Sequence, residues 1–228
     1  MFERGDARTP HRVLRYPMGH PRLEALLSPT MEAIRADPEL GERVNDVRFL
    51  VTLRGSAALV TITYNRPIGE EWKAAAEALA ESFAARNLGR VNFVGRSRKV
   101  KVVAGDDVIE EELEVPGPEG RSRRVRYAQM EGAFTQPNAA VCEKMLEWAV
   151  DATAGSEGED LCELYCGNGC FTLALAPNFR RVLATEMSAA SVRLARRNVE
   201  ANQADNVRVV RLSAEDFVQA YAGTREFR

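Results

Sequence analysis

Residues Leu161–Phe171 read LCELYCGNGCF, an apolar run that breaks into two glycines, Gly167 and Gly169, and restarts at Phe171. Two readings compete. In one, Cys162, Cys166 and Cys170, spaced four residues apart, are a metal-binding triplet. In the other, the run is a β-strand, the glycines make a tight turn and Phe171 starts a helix, the unit that opens a parallel α/β sheet. A metal triplet needs a fourth ligand, and only His11 and His20 are on offer, both remote in sequence. Its spacing matches neither the C-x2-C zinc pairing nor the ferredoxin cysteine run. Cys162 and Cys166 fall on one face of an apolar strand, where cysteine serves as a small buried hydrophobe. The turn reading is favoured, and no metal is expected.

The flanks agree with a parallel sheet. Upstream, FTQPNAAVCEKMLEWAVDATAG reads as a helix running to about Thr153 and Gly155, with Pro137 suited to its first turn. Downstream, FTLALA reads as a short helix and RVLATEM as a strand. SAASVRLARRNVEANQ follows as a helix begun by Ser188, then VRVVRL as a strand and SAEDFVQAYAG as a helix. Strand–helix alternation at this spacing predicts a doubly wound parallel sheet. The strand ends at Tyr165–Cys166, Thr185–Glu186 and Leu212–Ser213 then line one edge, where such sheets bind ligands.

Gly167 and Gly169 permit positive φ and close approach of a ligand to the backbone. A dinucleotide turn wants G-x-G-x-x-G, and Thr172 stands at the last position, which weakens NAD. S-adenosyl-L-methionine has no pyrophosphate to cradle and tolerates that loss. Both cofactors want an acid at the end of the next strand to hold ribose hydroxyls. Glu186 lies 17 residues beyond Gly169, near the expected spacing. The pattern favours a methyltransferase and leaves an NAD enzyme open, with a solvated strand-end acid as the plain alternative for Glu186.

Before about residue 135 the character differs. Arg12–Pro17 reads as a short strand, and Leu23, Leu26, Leu27, Met31 and Ile34 have helical spacing. DVRFLVTLRGSAALVTITYN reads as a hairpin turning at Arg54-Gly55-Ser56. EEWKAAAEALAESFAARN places Trp72, Ala76, Leu79 and Phe83 on one helical stripe. Two further β-rich stretches follow, the second folded about Pro116-Gly117-Pro118. The expectation is an antiparallel sheet with two helices.

The 228 residues, 45% hydrophobic, suit one large or two modest domains. A net charge of -2 confines any nucleic-acid contact to local basic patches. Two are present: Arg96, Arg98, Lys99 and Lys101, and then Arg121, Arg123, Arg124 and Arg126, three of which could share a strand face. Such stripes suit phosphate contact, but they equally suit a solvated edge strand guarded by charge. No apolar run reaches the roughly 18 residues of a membrane span, and the N-terminus has no secretory core. Four cysteines make no disulfide framework and point to a reducing compartment.

The stretches GAFTQPNAAVCEKMLEWA, LCELYCGNGCFTLALA, RVLATEMSAASVRLARRNVEAN and SAEDFVQAYAGTREFR resemble the tRNA (uracil-5-)-methyltransferases, which make 5-methyluridine in the tRNA T-loop. The resemblance is strong from about Phe134 and continues more weakly upstream. It implies a Rossmann-like methyltransferase domain over residues 134–228, preceded by an α+β RNA-binding region over residues 1–133. It implies S-adenosyl-L-methionine as cofactor, tRNA as partner and a cytoplasmic setting, or an organellar one in a eukaryote. Gln136 would contact the cofactor, Tyr165 close over it, Gly167 and Gly169 form its turn, and Glu186 take its ribose. Cys170 stands where the family usually has Asn, and a thiol is the poorer hydrogen-bond donor. Phe134 would stack on a base or ribose, or serve as a core aromatic.

The resemblance also implies a mechanism. A thiolate adds to C6 of uracil, the resulting enolate takes the methyl group at C5, and a base removes the C5 proton before the thiol leaves. The family's nucleophile lies in a Cys-Asn-Pro motif and its uracil-holding carboxylate in Asp-Pro-Pro-Arg, with a Glu as base; these are expected beyond Arg228. None of Cys142, Cys162, Cys166 and Cys170 is expected to replace the nucleophile. The chain therefore reads as the middle of a longer enzyme. Rival readings are a ribosomal RNA uracil-C5 methyltransferase, a non-catalytic RNA-binding fragment and the NAD enzyme.

Overall fold

The structure, a computed structural model, describes residues 2–3, 6–10, 15–54, 57–117 and 121–221. It divides into two compact units: Met1–Val51 with Ser56–Asp107, and Thr52–Gly55 with Val108–Arg228.

The first unit opens with a short antiparallel pair, β1 (Phe2–Glu3) and β2 (Asp6–Pro10). The strand expected over Arg12–Pro17 falls partly outside the described residues, and residues 15–17 are not in a strand. Helices α1 (Pro21–Ala36) and α2 (Pro38–Gly41) meet at Asp37, whose carboxylate accepts from Glu39 N at 2.8 Å and caps α2. A four-stranded sheet follows in the order β3 (Val44–Val51), β4 (Ala57–Tyr64), β5 (Arg90–Ser97), β6 (Val100–Ala104). The hairpin of β3 and β4 is as expected, with its turn outside the described residues.

The fully antiparallel expectation is corrected. β4 and β5 run parallel, because the 16-residue helix α3 (Glu70–Ala85) carries the chain back between them. Trp72, Ala76, Leu79 and Phe83 form the buried stripe of α3. Gly95 leaves room for that stripe: a Cβ there would lie 2.9 Å from the Trp72 ring and 2.6 Å from Ile68. The helix count is also corrected, from two to three, since Pro38 starts a short α2 of its own.

One buried polar chain locks this core. Trp72 Nε1 donates to the Tyr64 hydroxyl at 2.6 Å, which donates to the Leu40 carbonyl at 2.8 Å. Tyr64→Phe leaves both end groups buried and unpaired, at about 1–3 kcal/mol each. The expected outcome is a loss of about 2 kcal/mol, read as a lower urea midpoint with unchanged slope. An unchanged midpoint would show that water replaces the hydroxyl.

The second unit begins with a hairpin, β7 (Val108–Pro116) and β8 (Ser122–Met130). The second unit thus takes in Thr52–Gly55 as well as Val108–Arg228. The hairpin packs Leu113, Val115, Val125 and Tyr127 against α4 (Ala139–Ala152) and α5 (Cys170–Leu175). Pro137 does not enter α4; Asn138 caps it, accepting from Val141 N at 3.0 Å. Three parallel strands then stand in the order β11 (Val207–Arg211), β10 (Arg181–Glu186), β9 (Asp160–Glu163). Helices α6 (Ala189–Ala201, capped by Ser188) and α7 (Ala214–Tyr221) complete the alternation that the sequence predicts. This is the expected Rossmann-like α/β arrangement.

A pair of asparagines on α6 explains why the hairpin belongs here. Asn202 Oδ1 accepts from Arg126 N at 3.0 Å and its amide donates to Arg126 O at 2.7 Å. One turn earlier, Asn198 Oδ1 accepts from Ala128 N at 2.8 Å and its amide reaches Ala128 O at 3.4 Å. Two side-chain amides at i and i+4 thus pair the outer edge of β8 as a further strand would, leaving less of that edge open.

Candidate cofactor cleft

Strand β9 is shorter than its apolar run. It stops at Glu163, and Tyr165 takes a left-handed conformation at φ 59°, uncommon for a residue with a bulky side chain. Cys166 therefore lies in the turn and not in the strand, correcting the expectation that it shares a strand face with Cys162. The backbone then passes through Gly167 at φ 58° and Gly169 at φ 83° before α5 begins at Cys170, one residue earlier than expected. A Cβ on Gly169 would meet Ala195 at an ordinary 3.7 Å, so its conformation, and not lack of space, calls for glycine.

Three side chains brace this turn. Glu186, at the end of β10, accepts from Gly167 N at 3.1 Å through one carboxylate oxygen and from Ser188 N at 2.7 Å through the other. Buried Asn168 donates to Ala128 O at 3.3 Å, and Asn198 donates to Asn168 O at 2.9 Å. The turn is thereby fixed to β10, to β8 and to α6.

Beside it lies a cleft of about 290 Å³, whose walls include Gln136, Tyr165, Gly167 and Cys170, four of the six cofactor-site residues expected from the sequence. The other two, Gly169 and Glu186, shape and brace the turn without lining the cleft. Phe134 and Tyr165 expose their rings, 72% and 67% accessible, and Phe134 is a wall residue too; it is not a core aromatic.

Sequence reading passed over Glu163. Its carboxylate lines the cleft and accepts from Thr172 Oγ1 at 2.5 Å, and burial pushes its pKa up to about 7. The available signal was an acid at the last position of β9. Between its ordinary value of 4.5 and about 7, the folded chain keeps a proton that the unfolded chain has lost. The contribution of Glu163 to stability is thus fully present below 4.5 and is lost as pH rises through about 7. Glu163→Gln is expected to flatten this fall, so that the variant gains on the parent between pH 5 and pH 8 in urea titrations. Identical slopes for the two chains would sink that assignment.

The four free cysteines do not converge. Cys162 stays in β9 with its thiol pKa raised by burial, and Cys166 is pushed up by burial to about 12. Cys170 Sγ instead touches Cys142 Sγ at 3.6 Å. Among the described residues no group of three or more His, Cys, Asp or Glu is placed to hold a metal ion.

The basic stripe of β8 is largely engaged within the unit. Arg123 donates to the carbonyls of Leu173 and Ala174, at the C-terminal end of α5. Arg126 donates to Ala201 O, and Arg124 lies 3.7 Å from Glu112. In the other unit Lys101 pairs with Asp107 at 2.6 Å, while Arg98 and Lys99 are exposed at the turn between β5 and β6. No helix among the described residues is long and apolar enough to cross a membrane.

The family described as tRNA (Uracil-5-)-methyltransferase matches residues 1–228. The tRNA/tmRNA (uracil-C(5))-methyltransferase of Pseudomonas aeruginosa is 50% identical over 228 residues, covering 100% of this chain and 59% of that protein. Its namesake from Acinetobacter baylyi is 46% identical over 231 residues, covering 100% and 60%. The chain spans about three-fifths of the length of these relatives. Among solved structures, the tRNA (uracil-54, C5)-methyltransferase of Pyrococcus abyssi, in complex with S-adenosyl-L-homocysteine, has a TM-score of 0.53 at 17% identity. That match covers 80% of this chain and 46% of that one, a likeness of fold. With the full-length match and the close relatives, the chain belongs to the tRNA (uracil-5-)-methyltransferase family.

Proposed function

We propose that this chain provides the S-adenosyl-L-methionine site of an enzyme that methylates C5 of a uridine in the tRNA T-loop. The observation that carries the reading is the convergence of Gln136, Tyr165, Gly167 and Cys170 on one cleft, beside a turn braced by Glu186, in a member of this family. The residues fit the cofactor. Each Glu186 oxygen accepts one backbone N–H and keeps a lone pair for a ribose hydroxyl. Tyr165 offers an exposed ring for a flat apolar partner, and Gln136 offers an amide to hydrogen-bond a polar group. When bound, the cofactor supplies a methyl group on a cationic sulfur, an electrophile for carbon. Glu163, titrating near neutral pH in the cleft, is a carboxylate that a cationic ligand would hold ionised.

The thiols of Cys162, Cys166 and Cys170 are all held protonated, which sets them apart from the nucleophile that C6 addition requires. We assign that step to a residue other than these three cysteines. We propose that the exposed Arg98 and Lys99 turn of the first unit contacts tRNA phosphates. Independently, the exposed Phe134 ring of the second unit suits stacking on an unstacked base. Free cysteines suit the reducing cytoplasm, where tRNA is modified.

Calorimetric titration tests the reading. S-adenosylhomocysteine is expected to saturate one site and NAD to give no heat. NAD binding without S-adenosylhomocysteine binding would overturn the proposal.

A further inference from the structure

The cleft wall also holds a pair of thiols in contact. Cys142, on the first turn of α4, is 1% exposed yet lines the cleft, and its sulfur meets that of Cys170, the first residue of α5, at 3.6 Å. Disulfide sulfurs lie about 2 Å apart, so the two sulfurs need to close by only roughly 1.6 Å to bond.

We propose that Cys142 and Cys170 are a reversible redox pair, and that a hydroperoxide converts them to a disulfide tying α4 to α5 across the cleft and weakening cofactor binding. The second part rests on the cofactor reading. The chemistry balances in two steps. The Cys142 thiolate attacks the peroxide oxygen that carries hydrogen, the O–O bond breaks, and Cys142 sulfenic acid and an alkoxide form, the latter being hydroxide when the oxidant is hydrogen peroxide. The Cys170 sulfur then attacks the sulfenic sulfur, forming the S–S bond and releasing the oxygen, with the Cys170 proton, as water. Sulfur is oxidised and the peroxide reduced. Either sulfur can donate in the contact between the thiols, so the pair is written with Cys142 attacking first and the same disulfide results from the reverse order. Cys162 and Cys166, both with raised thiol pKa, are poorer competitors.

The test treats the purified chain with hydrogen peroxide, then alkylates it with iodoacetamide under denaturing conditions and weighs it. The four alkylatable thiols are expected to fall to two and to return with dithiothreitol. The Cys162→Ser/Cys166→Ser double variant should still form the bond, and Cys142→Ala should not. S-adenosylhomocysteine affinity of the oxidised chain should fall about tenfold and recover on reduction. Thiol loss that persists in Cys142→Ala, or irreversible oxygen addition, overturns the pair. A disulfide that leaves affinity unchanged overturns its effect on the cleft. If the reduced chain binds no S-adenosylhomocysteine, the cofactor reading fails, while the thiol count still decides the disulfide.

Discussion

Glu186→Ala is expected to weaken S-adenosylhomocysteine binding about a hundredfold, close to 2.7 kcal/mol. Two losses combine. The carboxylate is the acceptor proposed for the ribose hydroxyls, and hydrogen bonds to a charged group contribute about 1.5–3 kcal/mol. The same carboxylate accepts from Gly167 N and Ser188 N, so alanine also frees the turn that shapes the cleft. Glu186→Gln separates the two: its one amide oxygen can keep one acceptor bond, and its loss should be nearer tenfold. Because Glu186 is only half-buried and its backbone partners lie near solvent, the denaturation midpoint should move little in either variant. The decisive readout is the calorimetric dissociation constant for S-adenosylhomocysteine. An alanine variant that binds within about threefold of the parent would remove the ribose from Glu186 and leave it as a turn brace alone.

Much of this site was legible because its requirements are local. Two glycines after an apolar run, with an acid one strand later, are read directly from spacing; both glycines take positive φ, and Glu186 reaches Gly167 N. The α3 stripe was legible for the same reason: period and burial coincide at Trp72, Ala76, Leu79 and Phe83. What escaped depends on contacts between distant residues. The parallel pairing of β4 and β5 follows from where α3 returns the chain, which strand composition does not encode. The Arg stripe of β8 looked like a phosphate surface, yet Arg123 faces the end of α5, fifty residues on. Cys170 read as a substituted cofactor ligand, and its partner Cys142, twenty-eight residues upstream, became visible only in space. Nothing in the helix sequence marks Asn198 and Asn202, because their role is set by the strand edge they meet.

Asn198→Ala should therefore carry a large stability cost for the loss of one polar side chain, about 3 kcal/mol. Asn198 is 1% exposed and sits where three elements meet. Its oxygen takes the proton of Ala128 N at 2.8 Å, and its amide serves Asn168 O at 2.9 Å and Ala128 O at 3.4 Å. Alanine leaves a buried N–H and a buried carbonyl with no partner, each costing about 1–3 kcal/mol, against a total stability of about 5–15 kcal/mol for a domain. Asn198→Asp should fare no better, since it keeps the acceptor for Ala128 N but turns a carboxylate toward two carbonyl oxygens. Asn202→Ala is the internal control. It removes the same kind of bonds from Arg126, but that site is partly open, so water can replace the amide and the cost should stay below about 1 kcal/mol. Urea titration of the three variants decides the point. Equal midpoints for Asn198→Ala and Asn202→Ala would mean that burial does not set the difference. The stated outcome would tie the cleft to the hairpin, since the amide that closes the edge of β8 also holds the carbonyl of Asn168, between Gly167 and Gly169 in the turn.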